Sequence, residues 1–433
     1  MKVGNETRKS FYTLTSLEEV FQELSKINIK RRVETIGINE AYGRVLAEDF
    51  LSPINVPHFR RAAKDGYAVK ASDTFGAEED KPKKLKLLGE IRAGEKDSQP
   101  VEKGGCIKIA TGALVPEGAD AVVMVEYTEE EENMVRVYRP VSPEGNIIKI
   151  GRDMKEKQKI LSKGTVLNIQ DLGVLSATGV TEVKVYSKPR VTVASTGDEI
   201  VSPEAELEPG KIYDINSITI TQAVKQSGGE PIYRGVIPDD KDELIRAIKY
   251  ALETADIAIF SGGTSKGPGD TVPTALREVS RPDFLIHGVS IKPGKPTAIA
   301  AYSGKPVFML PGYPTSALMV YYTIVDPHIR RWAGLPPKSR PQVKAITGKR
   351  IYPERGRVNF QAVQLKREGE ELMAYPVPTG SEAITTLASS QGYIKIKPET
   401  QFIEEGEKVV VYLWSQNYSL RTPFEADTQA ADI

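Results

Sequence analysis

The stretch from Arg190 to about residue 333 restricts the fold more than any other part of the chain. It opens on an apolar strand, RVTVAST (190–196), and continues with a helix begun at Asn216-Ser217 and closed by Gly228-Gly229. Strand PIYRGVI follows, then Asp239-Asp240 and the helix KDELIRAIKYALETA, then strand DIAIFS and the glycine-rich segment Ser261–Asp270 (SGGTSKGPGD). Another helix, strand FLIHGVSI, the turn KPGKP, strands TAIAAY and PVFML, and a helix after LPGYPTS complete the block. Strands alternating with helices at this spacing predict a doubly wound, mostly parallel α/β sheet, because parallel neighbours need a crossover between them. Such sheets bind ligands at the carboxyl ends of their strands.

The flanking segments have another texture. Ser16-Leu17-Glu18-Glu19 reads as a capping box ahead of an amphipathic helix. From 53 to 150 short alternating strands and Gly/Pro turns predict a β-rich lobe, with the acidic run Glu129–Glu132 as a solvated hairpin tip. A helix is expected near Ile169–Thr178, and residues after 338 return to alternating strands that read as a small β-barrel or sandwich. The resulting division is a connector (1–52 and 151–186), a β-rich lobe (53–150), an α/β domain (187–337), a C-terminal β-barrel (338–415) and a flexible tail (416–433).

Composition excludes several functions. The 58 basic and 58 acidic residues cancel, so no global field draws the chain to nucleic acid or to an anionic membrane. Cys106 is the single cysteine, which rules out an internal disulfide and a cysteine metal cluster, and three histidines are too few for a His-rich zinc site. The N-terminus lacks an apolar core of signal-peptide length, and apolar runs such as that around Ala317–Val325 break well before about 18 residues. A cytoplasmic, non-membrane protein is the expectation.

Four strand-end loops hold the unusual residues of the α/β block. Ser195-Thr196-Gly197-Asp198-Glu199 ends a strand in hydroxyls, a glycine and two carboxylates. In the second loop Gly262 and Gly263 lack Cβ atoms, so backbone N–H groups beside Ser261 can converge on an anion, with Ser265 and Lys266 as further donors. Asp270, at the start of a helix, reads on its own as a cap. The third loop sets Lys292 and Lys295 around a Pro-Gly turn, and the fourth, Pro311-Gly312-Tyr313-Pro314, feeds a helix start at Thr315 and Ser316 that favours phosphate. Together they describe an anion pocket. No GxxxxGK[ST] motif is present and no GxGxxG follows the first strand, which disfavours a nucleoside-triphosphate or dinucleotide enzyme. In the lobe, Asp65-Gly66 and Thr111-Gly112 read in isolation as turns, and Asp153 lies where the lobe rejoins the connector.

The ordered set DGYAV (65–69), ATGALVPEGADAVV (110–123), STGDE (195–199), YDINS (213–217), SGGTSKGPGD, IKPGKP (291–296) and LPGYPTSA (310–317) resembles the molybdopterin molybdenumtransferase family, shared with the scaffold protein gephyrin. The resemblance spans the chain up to about residue 415. It implies a homodimer whose cleft joins the α/β domain of one subunit to the lobe of the other. It implies insertion of molybdate or tungstate into adenylylated molybdopterin with release of AMP, dependent on Mg2+. The molybdopterin adenylyltransferase is the implied partner. Carried over residue by residue, the catalytic set is Asp65, Thr111, Asp153, Glu199, Asp239 and Asp270, with Glu199, Asp239 and Asp270 toward the metal. Ser261, Gly262, Gly263, Ser265, Lys292, Lys295, Pro311, Gly312 and Ser316 would hold the phosphorylated pterin, and Thr385 or Thr386 would reach the cleft.

Three departures stand out. Tyr313 replaces the family's usual asparagine in PGNP, Lys64 precedes the DGYA aspartate, and Gly288 stands where some members have lysine, with His287 as a substitute donor or a plain strand histidine. Nicotinamide-nucleotide deamidases share the α/β domain but would show GGLGPTxDD and lack the DGYA lobe. A non-catalytic molybdopterin-binding or scaffold protein of the same fold is the other alternative.

Overall fold

The structure, a computed structural model, describes residues 14–96, 99–263, 271–377, 380 and 382–414. The chain divides into two compact units: residues 1–32 with 186–433, and residues 33–185.

In the first unit we number the sheet strands and helices of the α/β domain in chain order: β1 (Arg190–Thr196), α1 (Asn216–Gln226), β2 (Glu230–Ile237), α2 (Lys241–Thr254), β3 (Ile257–Gly262), α3 (Thr271–Val279), β4 (Phe284–His287), β5 (Ala298–Tyr302), β6 (Lys305–Leu310), α4 (Pro314–Val320) and α5 (Asp326–Ala333). The sheet order is β2-β1-β3-β6-β5-β4. β2, β1, β3 and β6 run parallel, while β5 is antiparallel to both its neighbours. Successive side chains of a strand point to opposite faces, and here both faces are covered. Val191, Val193, Ile257, Ile259, Phe308 and Leu310 pack against α1, α4 and α5. Ala194, Ala258, Phe260, Val307 and Met309 pack against α2 and α3. The predicted doubly wound domain is therefore present.

The N-terminal helix Leu17–Ser25 has the expected capping box between Ser16 and Glu19. Grouped with the connector on sequence, it instead buries Leu17, Val20 and Leu24 in the α/β core beside Val191 and Ile257. A second difference concerns FLIHGVSI, expected as one strand. Gly288 breaks it at a positive φ of 89°, and Ile291–Lys292 pairs in parallel with Val358–Asn359 of the C-terminal sheet. That sheet closes into a five-stranded barrel because strand Val358–Glu368 pairs with both Glu371–Pro376 and Gly392–Ile396.

The second unit carries a six-stranded sheet with Gly66–Val69 between Ala121–Met124 and Gly105–Ile109. Separate apolar clusters hold its two faces, one around Ile91, Ile107 and Ile109 and the other around Leu85, Val123 and Val135. The helix Ile169–Ala177 forms where expected, capped by Asn168 and Asp171. Glu129–Glu131 are strand residues and only Glu132, at a positive φ, lies at the hairpin turn. The acids are partnered: Glu129 accepts from Tyr138, Glu130 from Tyr67 and Lys108, and Glu131 pairs with Arg136. Cys106 is a buried thiol that burial pushes up to about 12, so it is inert packing.

Candidate functional site

The carboxyl ends of β1, β3 and β6 converge with the start of α1 and the end of β2. Thr196 is in register with Gly262, and Ser261 with Leu310, so the loops leaving these three strands begin side by side. Gly262 has φ 114°, and a Cβ there would lie 2.0 Å from the carbonyl oxygen of Thr196. Only glycine fits so close an approach. A Cβ on Gly312 would sit 3.7 Å from Gly262 Cα, so the diglycine loop and the Pro311-Gly312 turn face each other.

Asn216, the first residue of α1, fastens this arrangement. Its amide nitrogen donates to Ser261 Oγ at 2.9 Å and to the carbonyl oxygen of Gly312 at 2.6 Å, while Ser261 donates to Pro311 O at 3.0 Å. Ser261 is fully buried with its hydroxyl committed to Pro311, so it acts as scaffold for the loop. The start of α1 is in turn fixed by Asp214, a buried carboxylate that accepts from Ser195 Oγ at 2.6 Å, from Ser217 N at 3.1 Å and from Ser217 Oγ. Buried carboxylates persist only when so satisfied. Asp214 and Asn216 lie inside the motif YDINS and Thr196 inside STGDE, yet none of the three is among the site residues carried over above. The available signal was the run Asp-Ile-Asn-Ser at the head of a helix that faces two strand-end serines.

Acidic groups line one side of the pocket. Of the adjacent Asp239 and Asp240, the second is the cap of α2, accepting from Glu243 N at 2.9 Å. That leaves Asp239 to the pocket, where its Oδ1 lies 3.6 Å from where a Cβ on Gly263 would be. Its backbone N–H donates to Asp198 Oδ1 at 3.0 Å, and the Glu199 carboxylate folds back over Gly197. Partial desolvation first, then the charges of Glu199 and Asp198, push the Asp239 carboxyl above its ordinary range, although the residue keeps a face open to solvent. Three neighbouring carboxylates with oxygen-only donors suit a hard divalent cation. Among the described residues, no three His, Cys, Asp or Glu side chains close round one point, so they form an acidic wall and not a finished cage. Asp270, Ser265 and Lys266 lie outside the described residues.

The other candidates are distributed as follows. Lys292 and Lys295 are exposed on the loop between β4 and β5, at the same sheet edge but beyond β6 from the diglycine loop. Lys292 is 3.5 Å from Glu354, an ion pair that the sequence reading did not anticipate. Ser316 is buried in α4, whose N-cap Tyr313 makes no side-chain cap hydrogen bond and leaves its ring exposed. His287 is exposed at the end of β4, Thr385 is exposed, and Thr386 is buried and donates to Gly380 O.

In the second unit Asp65 and Thr111 do meet. The Thr111 N–H donates to Asp65 Oδ1 at 2.7 Å and, with its hydroxyl, holds the Asp65 carboxyl below its ordinary range. Gly66 is mandatory there, since a Cβ would fall 1.8 Å from Val123 O. Asp153 is exposed on a turn tied to Val56 through its backbone, and it shares no hydrogen bond with Asp65 among the described residues. Lys64 is an exposed neighbour of Asp65. A separate cleft of about 600 Å3 lies at the opposite end of the strands, beside the starts of β3, β4 and β6. Its acids are occupied, Asp256 by Arg32 and Arg190 N and Asp283 by Gly304 N, and no chemistry is assigned to it.

A glycine cradle beside an acidic wall, at the strand carboxyl ends of a doubly wound sheet, occupies the position where domains of this class bind their ligands. Residues 192–331 match a probable molybdopterin binding domain, residues 15–179 the MoeA N-terminal region (domain I and II), and residues 344–414 the MoeA C-terminal region (domain IV). The chain is 36% identical over 417 residues to a putative molybdopterin biosynthesis protein of Methanocaldococcus jannaschii, covering 94% of this chain and 98% of that protein. It is 33% identical to the molybdopterin molybdenumtransferase of Haemophilus influenzae, covering 90% of this chain and 95% of that enzyme. Its fold is similar to the crystal structure of a molybdopterin biosynthesis MoeA protein from Pyrococcus horikoshii, with TM-score 0.82 and 37% identity over 93% of this chain and all of that one. The chain belongs to the molybdopterin molybdenumtransferase family, enzymes of molybdenum-cofactor biosynthesis. No described helix is long and apolar enough to cross a membrane.

Proposed function

We propose that this protein inserts molybdate or tungstate into adenylylated molybdopterin and releases AMP, acting in the cytoplasm as a homodimer and receiving its substrate from the molybdopterin adenylyltransferase. The observation that carries this reading is the acidic wall of Asp198, Glu199 and Asp239 set against the Ser261–Gly263 and Pro311–Gly312 loops. A phosphoanhydride needs both elements: backbone donors for its oxygens, and carboxylates that manage protons and cations around the bridge.

In this mechanism Gly262, Gly263 and Gly312 let the backbone approach the phosphate, with Lys292, Lys295, Ser265 and Ser316 as further donors. Glu199, Asp239 and Asp270 would hold a magnesium ion, which would neutralise charge on the phosphate oxygens. The Asp239 carboxyl, raised by partial burial and by the charges of Glu199 and Asp198, would be relieved by a cation bound among these acids. Asp65, held ionised by Thr111, suits an acceptor role toward water or a cation. Water adds to phosphorus and the bridging oxygen leaves with AMP; the two dithiol sulfurs then bond to the metal of the oxyanion, and one of its oxo groups leaves with their two protons as water. Asp153 joins Asp65 in positioning that oxyanion.

The test is AMP release from adenylylated molybdopterin with magnesium and either molybdate or tungstate. Turnover by the wild-type protein and its loss in Asp65→Ala and Asp270→Ala are expected. Mixed dimers of those two variants should regain activity if each cleft draws on both subunits. Absence of AMP release by the wild type would leave a non-catalytic binding protein.

A further inference from the structure

Beside the diglycine and Pro311-Gly312 loops lie two buried polar atoms for which the described residues supply no partner. Thr196 Oγ1 and Asn216 Oδ1 are both buried without a hydrogen-bond partner among the described residues. Thr196 is 3% exposed and Asn216 5%. Buried polar atoms are paired in the great majority of cases, and an orphan in a native protein calls for a specific explanation. Ser195, Ser217, Ser261 and Asp214 beside these two are all satisfied, while Thr192 on β1 and Thr221 on α1 carry orphan hydroxyls further from the loops.

The assignment of the Asn216 amide is not arbitrary. Its bond to Gly312 goes to a carbonyl oxygen, which can only accept, so that side must be the nitrogen and the orphan must be the oxygen. Thr196 Oγ1 would lie 2.8 Å from a Cβ on Gly262 and 2.9 Å from one on Gly263, which puts its hydroxyl against the diglycine turn. Phosphate ester oxygens accept hydrogen bonds and have almost nothing to donate at neutral pH. The Thr196 hydroxyl can serve such an oxygen, whereas the Asn216 carbonyl cannot. It needs a donor, and the N–H groups of a pterin ring are donors.

We propose that Thr196 and Asn216 are ligand-reading residues of this pocket, Thr196 donating to the phosphate and Asn216 accepting from a pterin N–H while its amide nitrogen couples the Ser261 and Gly312 loops. The inference rests on the molybdopterin reading above. It makes the pair a discriminator: phosphate alone satisfies one of the two orphans, and the pterin satisfies both.

Equilibrium binding of molybdopterin and of inorganic pyrophosphate to the full-length protein, with thermal unfolding of each variant, tests this. Thr196→Val keeps the side-chain shape and deletes the orphan. It should leave the Tm of the unliganded protein unchanged or raise it by roughly 2–4 °C, while weakening both ligands about 10-fold. Asn216→Ala should weaken molybdopterin by about 10- to 100-fold and pyrophosphate far less, lowering the affinity ratio between them. Ser261→Ala loosens the same loop coupling without touching Asn216 Oδ1, and should leave that ratio unchanged.

Equal losses for both ligands in Asn216→Ala, or the same ratio change in Ser261→Ala, would reduce Asn216 to a loop clamp and overturn the proposal. A Thr196→Val protein that unfolds earlier and binds both ligands normally would overturn it as well. If the wild-type protein binds pyrophosphate but not molybdopterin, the molybdopterin reading itself fails, which is a separate outcome from failure of the two-residue assignment.

Discussion

Replacing Gly262 by alanine isolates the feature on which the cradle depends. The new Cβ would lie 2.0 Å from Thr196 O, whereas real Cβ atoms essentially never come within 3.0 Å of such an atom, so about 1 Å of separation must be found. Both atoms belong to the β1–β3 ladder, where Thr196 and Gly262 are register partners, so no flexible side chain can yield. The residue also has φ 114°, which alanine tolerates at a cost of about 1–3 kcal/mol. Opening a packed ladder adds about 1–3 kcal/mol, giving a loss near 4 kcal/mol. The series Gly262→Ala, Gly263→Ala and Gly312→Ala separates these contributions. Gly263 has φ 60°, but the one atom a Cβ there would crowd is the Thr196 hydroxyl, a side-chain atom, with Asp239 and Val272 at ordinary contact distance, so about 1–2 kcal/mol is expected. A Cβ on Gly312 meets nothing closer than 3.7 Å, so its stability should be close to wild type. Urea unfolding followed through Trp332 and Trp414 reads all three, with the slope unchanged if only stability moves. A Gly262→Ala loss below about 1 kcal/mol, or one no larger than that of Gly263→Ala, would refute the steric reasoning.

Three further outcomes follow from the same structure. His328 is buried between Phe308 and Trp332 and burial lowers its pKa to about 4, so the folded state resists protonation that the unfolded state accepts near 6.5. Stability should be full above pH 6.5 and fall by about 3 kcal/mol as pH drops to 4; in a urea-midpoint pH series, an acid limb undiminished in His328→Phe would contradict this. Asp239→Asn removes a carboxyl whose pKa is raised, a group whose contribution declines as pH rises through that raised value. In metal-free buffer at neutral pH the variant should therefore melt at or above the wild-type temperature while losing AMP release, and a lower Tm would count against the repulsive cluster. Tyr313→Asn supplies the missing cap of α4 and should stabilise by about 0.5–2 kcal/mol in thermal unfolding, so destabilisation would show that the exposed tyrosine has another role.

Much of this was legible in the sequence, for identifiable reasons. The α/β block announces itself because apolar strands and helices alternate along it, and the two-faced sheet follows from chain connectivity. Gly66 is visible beside Asp65 and Gly262 in the diglycine after Ser261, and both prove to be positions where a Cβ would strike backbone. What stayed hidden depends on distance in the chain. Lys292 looks like a free cation until the barrel brings Glu354 to it, 62 residues later (354 − 292). Asn216 looks like a helix opener, and its grip on Ser261 and Gly312 spans 45 and 96 residues, which no local pattern encodes. Between Asp239 and Asp240, spacing alone does not say which is the cap. The Glu243 N–H decides it by choosing Asp240, and the remaining acid falls to the pocket.

The most direct test of the central claim is the stoichiometry of one turnover. Purified protein is loaded with adenylylated molybdopterin and magnesium, then given molybdate or tungstate, and AMP and dithiolene-bound metal are quantified together. One AMP released for each metal inserted, with both products absent in Asp270→Ala, is the predicted result. Binding of adenylylated molybdopterin with neither AMP release nor metal insertion, under either oxyanion, would contradict it.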